Sequence, residues 1–109
     1  MSGGTEFQRR VWAACRMIPA GKVVTYAEMA QFLDCGSPRA IGQALRRNPD
    51  APATPCHRII SSKLSPGGYS GEEAGPELEK KLTLLAGEGV VFRDGQLSEV
   101  QRLWQFPRD

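Results

Sequence analysis

At 109 residues, with 40% hydrophobic and 24% charged side chains, the chain has the make-up of a globular protein built around one modest core. No apolar run approaches the roughly 20 residues that a membrane crossing needs, and the opening MSGGTEFQRR lacks the apolar stretch of a secretory signal, so a location in the cytoplasm of a prokaryote or the nucleus of a eukaryote is expected, with no membrane partner. The net charge of +2 is unevenly spread, with eight Lys/Arg against four Asp/Glu in residues 1–60 and six against eight in residues 61–109. That asymmetry favours contact of the first half with a polyanion, although an ordinary solvated surface would look the same.

Phe7, Val11, Ala14, Cys15 and Ile18 recur at helical spacing and predict an amphipathic helix over 6–18, stopped by Pro19. Thr5 is its N-cap candidate, with Glu6 and Gln8 only a loose match to a capping box. Ala20-Gly21-Lys22 reads as a turn and Val23-Val24 as a short extended piece. Thr25 caps a second helix, with Glu28 three residues on completing a capping box; it runs through Ala27, Met29, Ala30 and Leu33 to Cys35-Gly36. Ser37-Pro38 opens a third helix, serine as N-cap and proline in the first turn. Ala40, Ile41, Ala44 and Leu45 form its inner face, and Arg39, Gln43, Arg46 and Arg47 its outer one. Two short helices across a tight glycine turn carry the pattern of a helix-turn-helix, a pattern that any αα-hairpin shares.

Asn48 to Thr54 is a proline-rich loop leading to Pro55-Cys56-His57-Arg58, and Ile59-Ile60 reads as extended. Ser61 to Gly75 reads as a structured loop. Pro76 to Ala86 predicts a further helix with Leu78, Leu82 and Leu85 inward, ended by Gly87-Glu88-Gly89. Asp94-Gly95 between Val90-Val91-Phe92 and Gln96-Leu97 signals a hairpin, and Leu103-Trp104-Gln105-Phe106 is expected to pack back on the body.

Cys15, Cys35 and Cys56 are an odd number at wide spacing, which makes neither a disulfide framework nor a paired zinc motif. No metal or other cofactor is expected. Cys15 reads as core and Cys35 as a structural turn residue. Cys56 is different, because it stands beside the only histidine of the chain, His57, and close to Arg58. A free thiol with a pKa near 8.5 is only slightly ionised at neutral pH, and an adjacent base or cation would raise its thiolate fraction. Adjacent side chains of an extended segment point apart, so His57 would reach the thiol through a turn or a bridging water. Glu88, from the end of the late helix, could fold back to orient the imidazole. A free cysteine is also commonly no more than a small buried hydrophobe, and that reading stays open on these residues alone. A papain-like hydrolase does not fit, since no local signature matches and the chain is too small for two lobes.

The segments PRAIGQALRRNP, TPCHRII, GGYSG and LLAGEG, with IPAGKVVTYAEMA upstream, resemble the C-terminal domain of the O6-alkylguanine-DNA alkyltransferases. That family reads RAVGxAxxxNP, then PCHRV, a glycine-aromatic-Ser-Gly loop, and LLxxEG. The resemblance covers residues 6–92, with the motifs in the family's order. It implies a mainly α, winged-helix or helix-turn-helix-like domain with short β elements, and a monomer that binds duplex DNA containing O6-alkylguanine through the minor groove. The lesion would be flipped into a pocket, and its alkyl group transferred irreversibly to the protein's own cysteine in a single turnover.

Matched position by position, the resemblance implies that Cys56 is the alkyl acceptor, His57 deprotonates it through a water, and Glu88 orients His57. Tyr26 would donate a proton to the leaving guanine, and Asn48 would brace the helix-turn-helix against the active-site loop. Arg39 would fill the gap left by the flipped base. Ala40, Gly42 and Ala44 would let the helix backbone approach the groove, with Arg46 and Arg47 also facing DNA. Tyr26, Arg58, Tyr69 and Ser70 would surround the base. Full-length members carry an additional N-terminal domain to which nothing here corresponds, so residues 1–109 are expected to form a single DNA-binding domain. The turn Asp34-Cys35-Gly36-Ser37 is also shorter than in many members. The related alkyltransferase-like proteins are short, with a similar Arg/Trp tail, and flag the lesion for nucleotide excision repair without repairing it; they have tryptophan or alanine where this chain has Cys56. Such a lesion binder is the alternative reading, and a helix-turn-helix regulator that reads sequence is a third.

Overall fold

The structure is a computed structural model and describes residues 5–67 and 75–107. It is mainly helical, with two very short β ladders. Helix α1 (Glu6–Met17) begins at a complete capping box: Thr5 Oγ1 accepts the Gln8 N–H at 3.1 Å while Gln8 Oε1 accepts the Thr5 N–H at 3.0 Å. The loose sequence match is thus satisfied by glutamine in the role that glutamate more often fills. Strand β1 (Val24–Thr25) runs straight into α2 (Tyr26–Phe32). Thr25 Oγ1 caps α2 by accepting the Glu28 N–H, and the Glu28 carboxylate takes the N–H of Phe106 at 2.9 Å, fastening the C-terminal segment to this helix.

Helix α2 stops at Phe32, short of Cys35-Gly36, and the turn is made differently from the sequence expectation. Asp34, with φ +53, adopts the left-handed conformation, and Cys35 N–H then closes on the Ala30 carbonyl at 2.8 Å. Aspartate tolerates that region better than most side chains do, so Gly36 is not the residue that turns the chain. Ser37 then caps α3 (Pro38–Arg46) by accepting the Ala40 N–H, with proline in the first turn.

Helices α1, α2 and α3 enclose one apolar cluster that includes Val11, Cys15, Met29, Ile41, Ala44 and Cys56. Trp12, which the periodic pattern did not single out, is buried there, and its Nε1–H donates to the Ala44 carbonyl at 2.7 Å. Beyond α3, a single 3-10 turn (Cys56–Arg58) leads into strand β2 (Ile59–Ile60), which pairs parallel with β1 in the register Val24 to Ile59 and Thr25 to Ile60. Val23 bridges to Leu103 on the other side, so the C-terminal segment lies along β1.

Helix α4 (Pro76–Gly87) inserts Leu85 into a second cluster with Val23, Ile60, Val90 and Leu97. Its phase departs from the expected leucine stripe: Leu78 and Leu82 are half-buried, and the residue fully inside is Lys81. Strands β3 (Phe92–Arg93) and β4 (Gln96–Leu97) form the antiparallel hairpin signalled by Asp94-Gly95, both of which have positive φ as a two-residue type I′ turn requires. The tail packs back through Phe106, stacked on Phe32 at 4.2 Å and edge-on to Trp104 at 5.2 Å. Among the described residues no helix is long and apolar enough to cross a membrane.

The Trp12–Ala44 bond joins α1 to the third helix inside the core, and its loss leaves the Ala44 carbonyl with the Arg47 N–H at 3.2 Å. Trp12→Phe should lower the unfolding free energy in urea by roughly 0.5–1.5 kcal/mol; an unchanged midpoint would show that the bond contributes nothing.

Candidate active site

Pro55 positions Cys56 at the start of the 3-10 turn, where the Cys56 N–H donates to the Thr54 carbonyl at 2.8 Å and the Arg58 N–H to the Pro55 carbonyl at 3.0 Å. The segment that sequence reading left extended is therefore coiled, but successive side chains of a helical turn still do not face one another. Cys56 and His57 are both buried.

His57 and Arg58 converge on one carboxylate. Glu88 caps the C-terminal end of α4. Its Oε2 lies 3.1 Å from His57 Nε2 and 2.7 Å from Arg58 Nη2, and its Oε1 accepts Arg58 Nε–H at 2.9 Å. This is a bidentate arginine–carboxylate pair, the strongest geometry such groups reach. Arg58 Nη1 also donates to the Ile18 carbonyl at 2.7 Å. The Arg58 guanidinium, expected near the base pocket, is thus directed to Glu88 and the end of α1.

Burial works against ionisation of Glu88, but hydrogen bonds from Arg58 and His57 outweigh it and hold the carboxyl down to about 2. Burial lowers the pKa of His57 below its usual 6.5, against the pull of Glu88, so the ring is neutral at pH 7 and its contact with Glu88 is a hydrogen bond rather than an ion pair. A carboxylate can only accept, so Nε2 carries the proton and Nδ1 offers a lone pair. Nδ1 is itself buried and has no hydrogen-bond partner among the described residues. The site therefore holds a neutral, oriented imidazole with its basic nitrogen unused, one residue from a thiol.

Lys81 is the site residue that sequence reasoning missed. Its Nζ donates to the Ile59 carbonyl at 2.6 Å, and burial pulls it down to about 8, partly offset by the nearby Cys56. A buried lysine costs stability unless a negative charge or acceptor compensates it, and the signal for it was faint: a polar residue one position off a leucine stripe. The other cysteines contrast with Cys56. Burial pushes the Cys15 thiol up to about 12, with Cys56 adding to the effect, which leaves Cys15 inert, and Cys35 Sγ is engaged with the Ser37 backbone in the turn.

Tyr26 is the first residue of α2 and packs partly buried against the cluster that contains Cys56. The β1–β2 pairing sets its helix beside the Cys56 turn. Asn48 follows α3, donates from Nδ2 to the Thr54 carbonyl at 2.9 Å, and accepts the Asp50 N–H at 2.9 Å. Thr54 also receives Arg16 Nε–H at 3.1 Å, so the residue two before Cys56 is held from α1 and from the end of α3. Tyr69 and Ser70 lie outside the described residues.

Arg39, Gln43, Arg46 and Arg47 project from the exposed side of α3, with Ala40 and Gly42 half-buried. Ala44 is fully buried against α1; it belongs to the core and offers nothing to a groove. A Cβ added at Gly42 would meet no atom within 4 Å. A mid-helix glycine costs about 0.5–1 kcal/mol relative to alanine, and packing within this fold does not require it.

Residues 6–90 match the family model described as the DNA-binding domain of 6-O-methylguanine DNA methyltransferase. The chain belongs to the O6-methylguanine-DNA methyltransferase family. It is 44% identical over 84 residues to the methylated-DNA–protein-cysteine methyltransferase of Mycolicibacterium paratuberculosis, covering 76% of this chain and 48% of that protein. It is 46% identical over 94 residues to the one from Methanothermobacter thermautotrophicus, covering 86% and 49%. The chain thus spans about half the length of the curated relatives it matches. Among solved structures it resembles Mycobacterium tuberculosis OGT in complex with DNA, with a TM-score of 0.64 and 38% identity over 79% of this chain and 51% of that one. It also resembles S. pombe Atl1 in complex with damaged DNA containing O6-carboxymethylguanine, with a TM-score of 0.76 and 28% identity over 93% and 96% of the two chains.

The methyltransferase-family site has a definite acid dependence. Glu88 is held from 4.5 down to about 2, so its contribution to stability is full above pH 4.5 and is lost as the pH falls toward 2. His57, lowered from 6.5, acts in the same sense: its contribution is complete above pH 6.5 and lost as the ring protonates below it. In urea titrations across pH, Glu88→Gln should flatten the fall in stability between pH 4.5 and 2; an unaltered slope would mean that the carboxylate is not held as described.

Proposed function

We propose that this chain repairs DNA by transferring the alkyl group of O6-alkylguanine in a duplex to its own Cys56. The observation that carries the reading is the neutral His57 ring: fixed through Nε2 by Glu88, buried, with an Nδ1 that has no partner among the described residues, on the residue that follows Cys56. A water bonded to Nδ1 would relay the Cys56 proton to it, since direct contact between adjacent side chains is disfavoured. The thiolate sulfur then attacks the alkyl carbon; the sulfur–carbon bond forms as the carbon–O6 bond breaks, and the electron pair passes to the guanine. Tyr26 gives a proton to that departing base. His57 has gained one proton and Tyr26 has lost one, so exchange with solvent restores both. The alkyl group remains as a thioether, and each molecule acts once.

The surroundings support each step. Lys81 sets a buried positive charge near Cys56, where it opposes the cost of a desolvated thiolate. Three arginines on the outer face of α3, Arg39, Arg46 and Arg47, suit phosphate contact, with Arg39 at its N-terminal end as the residue that fills the stack when the base leaves. Gly42 has no role in internal packing, and a close approach to the floor of a minor groove supplies one. Asn48 and Arg16, through Thr54, link that binding surface to the loop bearing the nucleophile.

A second reading has one specific observation behind it, the likeness to Atl1 bound to damaged DNA. On that reading the chain holds the lesion for excision-repair proteins and transfers nothing. The thiol decides between them. Mixed with a duplex carrying one O6-methylguanine, the chain should gain the mass of one methyl group, mapped to Cys56, and Cys56→Ala should gain nothing while still binding. Tight binding with no change in mass would favour the lesion binder.

Two substitutions test the DNA face on either reading. Arg39→Ala should weaken binding to the lesion duplex by about 1–3 kcal/mol. Gly42→Ala should stabilise the fold by up to about 1 kcal/mol yet weaken DNA binding; gains in both would show that the glycine does not face the groove.

A further inference from the structure

The segment that leaves the catalytic turn, Ser61 to Gly67, is fastened at three places, and one of them is held at a conformational cost. Ser62 Oγ accepts the Ala27 N–H at 3.2 Å, so the loop caps the helix that begins with Tyr26. Gly67 lies against that same tyrosine: at φ +73, a Cβ there would stand 3.7 Å from Tyr26 Cε2 and 3.7 Å from Lys81 Nζ. This end of the loop lies against Tyr26 and the buried lysine.

Between these two points Leu64 adopts φ +67. That left-handed conformation costs an L-residue with a side chain about 1–2 kcal/mol, and glycine would adopt it freely. The β3–β4 hairpin holds it there. Leu97 N–H donates to the Leu64 carbonyl at 2.8 Å, and the Leu64 side chain packs on the cluster of Val23, Ile60, Leu85, Val90 and Leu97. Loop cross-bonds between Ser61 and Ser65, Oγ to Oγ at 2.6 Å and Ser65 N–H to Ser61 Oγ at 3.1 Å, close the segment around it. A leucine here makes the loop inseparable from the hairpin: its apolar anchor is kept only while the backbone stays in a narrow well.

Resting on the reading above, we infer that the β3–β4 hairpin is a buttress for the pocket wall and that Leu64 is a specificity-determining positioning residue. It fixes how far the loop withdraws from Tyr26, and so the bulk of the alkyl group that fits against Cys56. Freed from the hairpin, the wall moves outward, admits larger groups, and confines a methyl group less closely.

The test compares duplexes bearing O6-methylguanine and O6-benzylguanine on the unaltered chain, Leu64→Gly and Leu64→Met. Leu64→Gly should shift the benzyl-to-methyl ratio of transfer rates upward by about tenfold, the scale on which a pocket discriminates apolar bulk, whereas Leu64→Met, which keeps an apolar anchor, should retain the unaltered ratio. Amide hydrogen exchange should quicken together in Ser61–Gly67 and at Leu97 in Leu64→Gly. If Leu64→Gly does not fold, Leu64→Asn, which tolerates the left-handed region without the apolar anchor, gives the same comparison. An unchanged ratio, or exchange that quickens in the loop alone, overturns the proposal. Should the unaltered chain transfer neither group, the repair reading fails, and the ratio of binding affinities for the two duplexes still judges the buttress.

Discussion

One carboxylate holds the site together. Glu88 receives both edges of the Arg58 guanidinium and orients His57, while Arg58 reaches on to the carbonyl of Ile18 at the end of α1. Three separate parts of the chain, the C-terminal end of α4, the 3-10 turn and the exit of α1, are thereby registered against a single charged group. A bidentate arginine–carboxylate pair is strong only when its geometry is good, so any shift of α4 relative to the turn would weaken the pair and misalign the imidazole. The sequence supplies what this requires: Gly89, at φ +86, lets the chain turn sharply after Glu88, which leaves the carboxylate at the end of its helix and pointing across to the turn.

Around this centre the chain accepts local costs that its own packing does not explain. A glycine stands mid-helix where a methyl group would meet nothing, and the buried Nδ1 of His57 has no partner among the described residues. Each is destabilising by itself. They share a location, in or beside the Cys56 turn and the exposed helix α3. Costs of this kind are offset by contact with something outside the chain: a water or other donor at Nδ1, and a surface that approaches the backbone of α3 closely at Gly42.

The elements that were legible in the sequence are those whose signals are local. Thr5, Thr25 and Ser37 announced three helix starts because a side-chain oxygen must satisfy a free N–H at a fixed offset, and Asp94-Gly95 announced the hairpin because both its residues need positive φ. Cys56 and His57 were legible through adjacency, and Glu88 through the motif in which it sits. Lys81 was not, because the helical phase of α4 is decided by what the Ile59 carbonyl and Cys56 require rather than by the leucines. Asp34 was missed for a related reason: a glycine two positions later drew the turn, although aspartate can adopt the same conformation. Ala44 was assigned to both the core and the groove, and only tertiary packing, through the Trp12 bond to its carbonyl, separates the two. The parallel pairing of β1 with β2 has no sequence signature, since two residues per strand are too few for any periodicity.

That pairing is nonetheless what relates the two halves of the proposed chemistry. Tyr26 follows β1 directly, and the Cys56 turn precedes β2 directly, so the register Val24 to Ile59 fixes the proposed proton donor relative to the proposed nucleophile. Two hydrogen-bonded positions would be a weak hinge by themselves. They are reinforced from both sides: the C-terminal segment bridges at Val23 and ties Phe106 to Glu28 on the helix of Tyr26, and Ser62 returns from the far end of β2 to cap that same helix. The arrangement resists sliding between the two strands, a motion that would separate Tyr26 from Cys56. On the proposed reading, rigidity of this kind has a use, because two groups that act on one substrate must hold their relative geometry before it arrives.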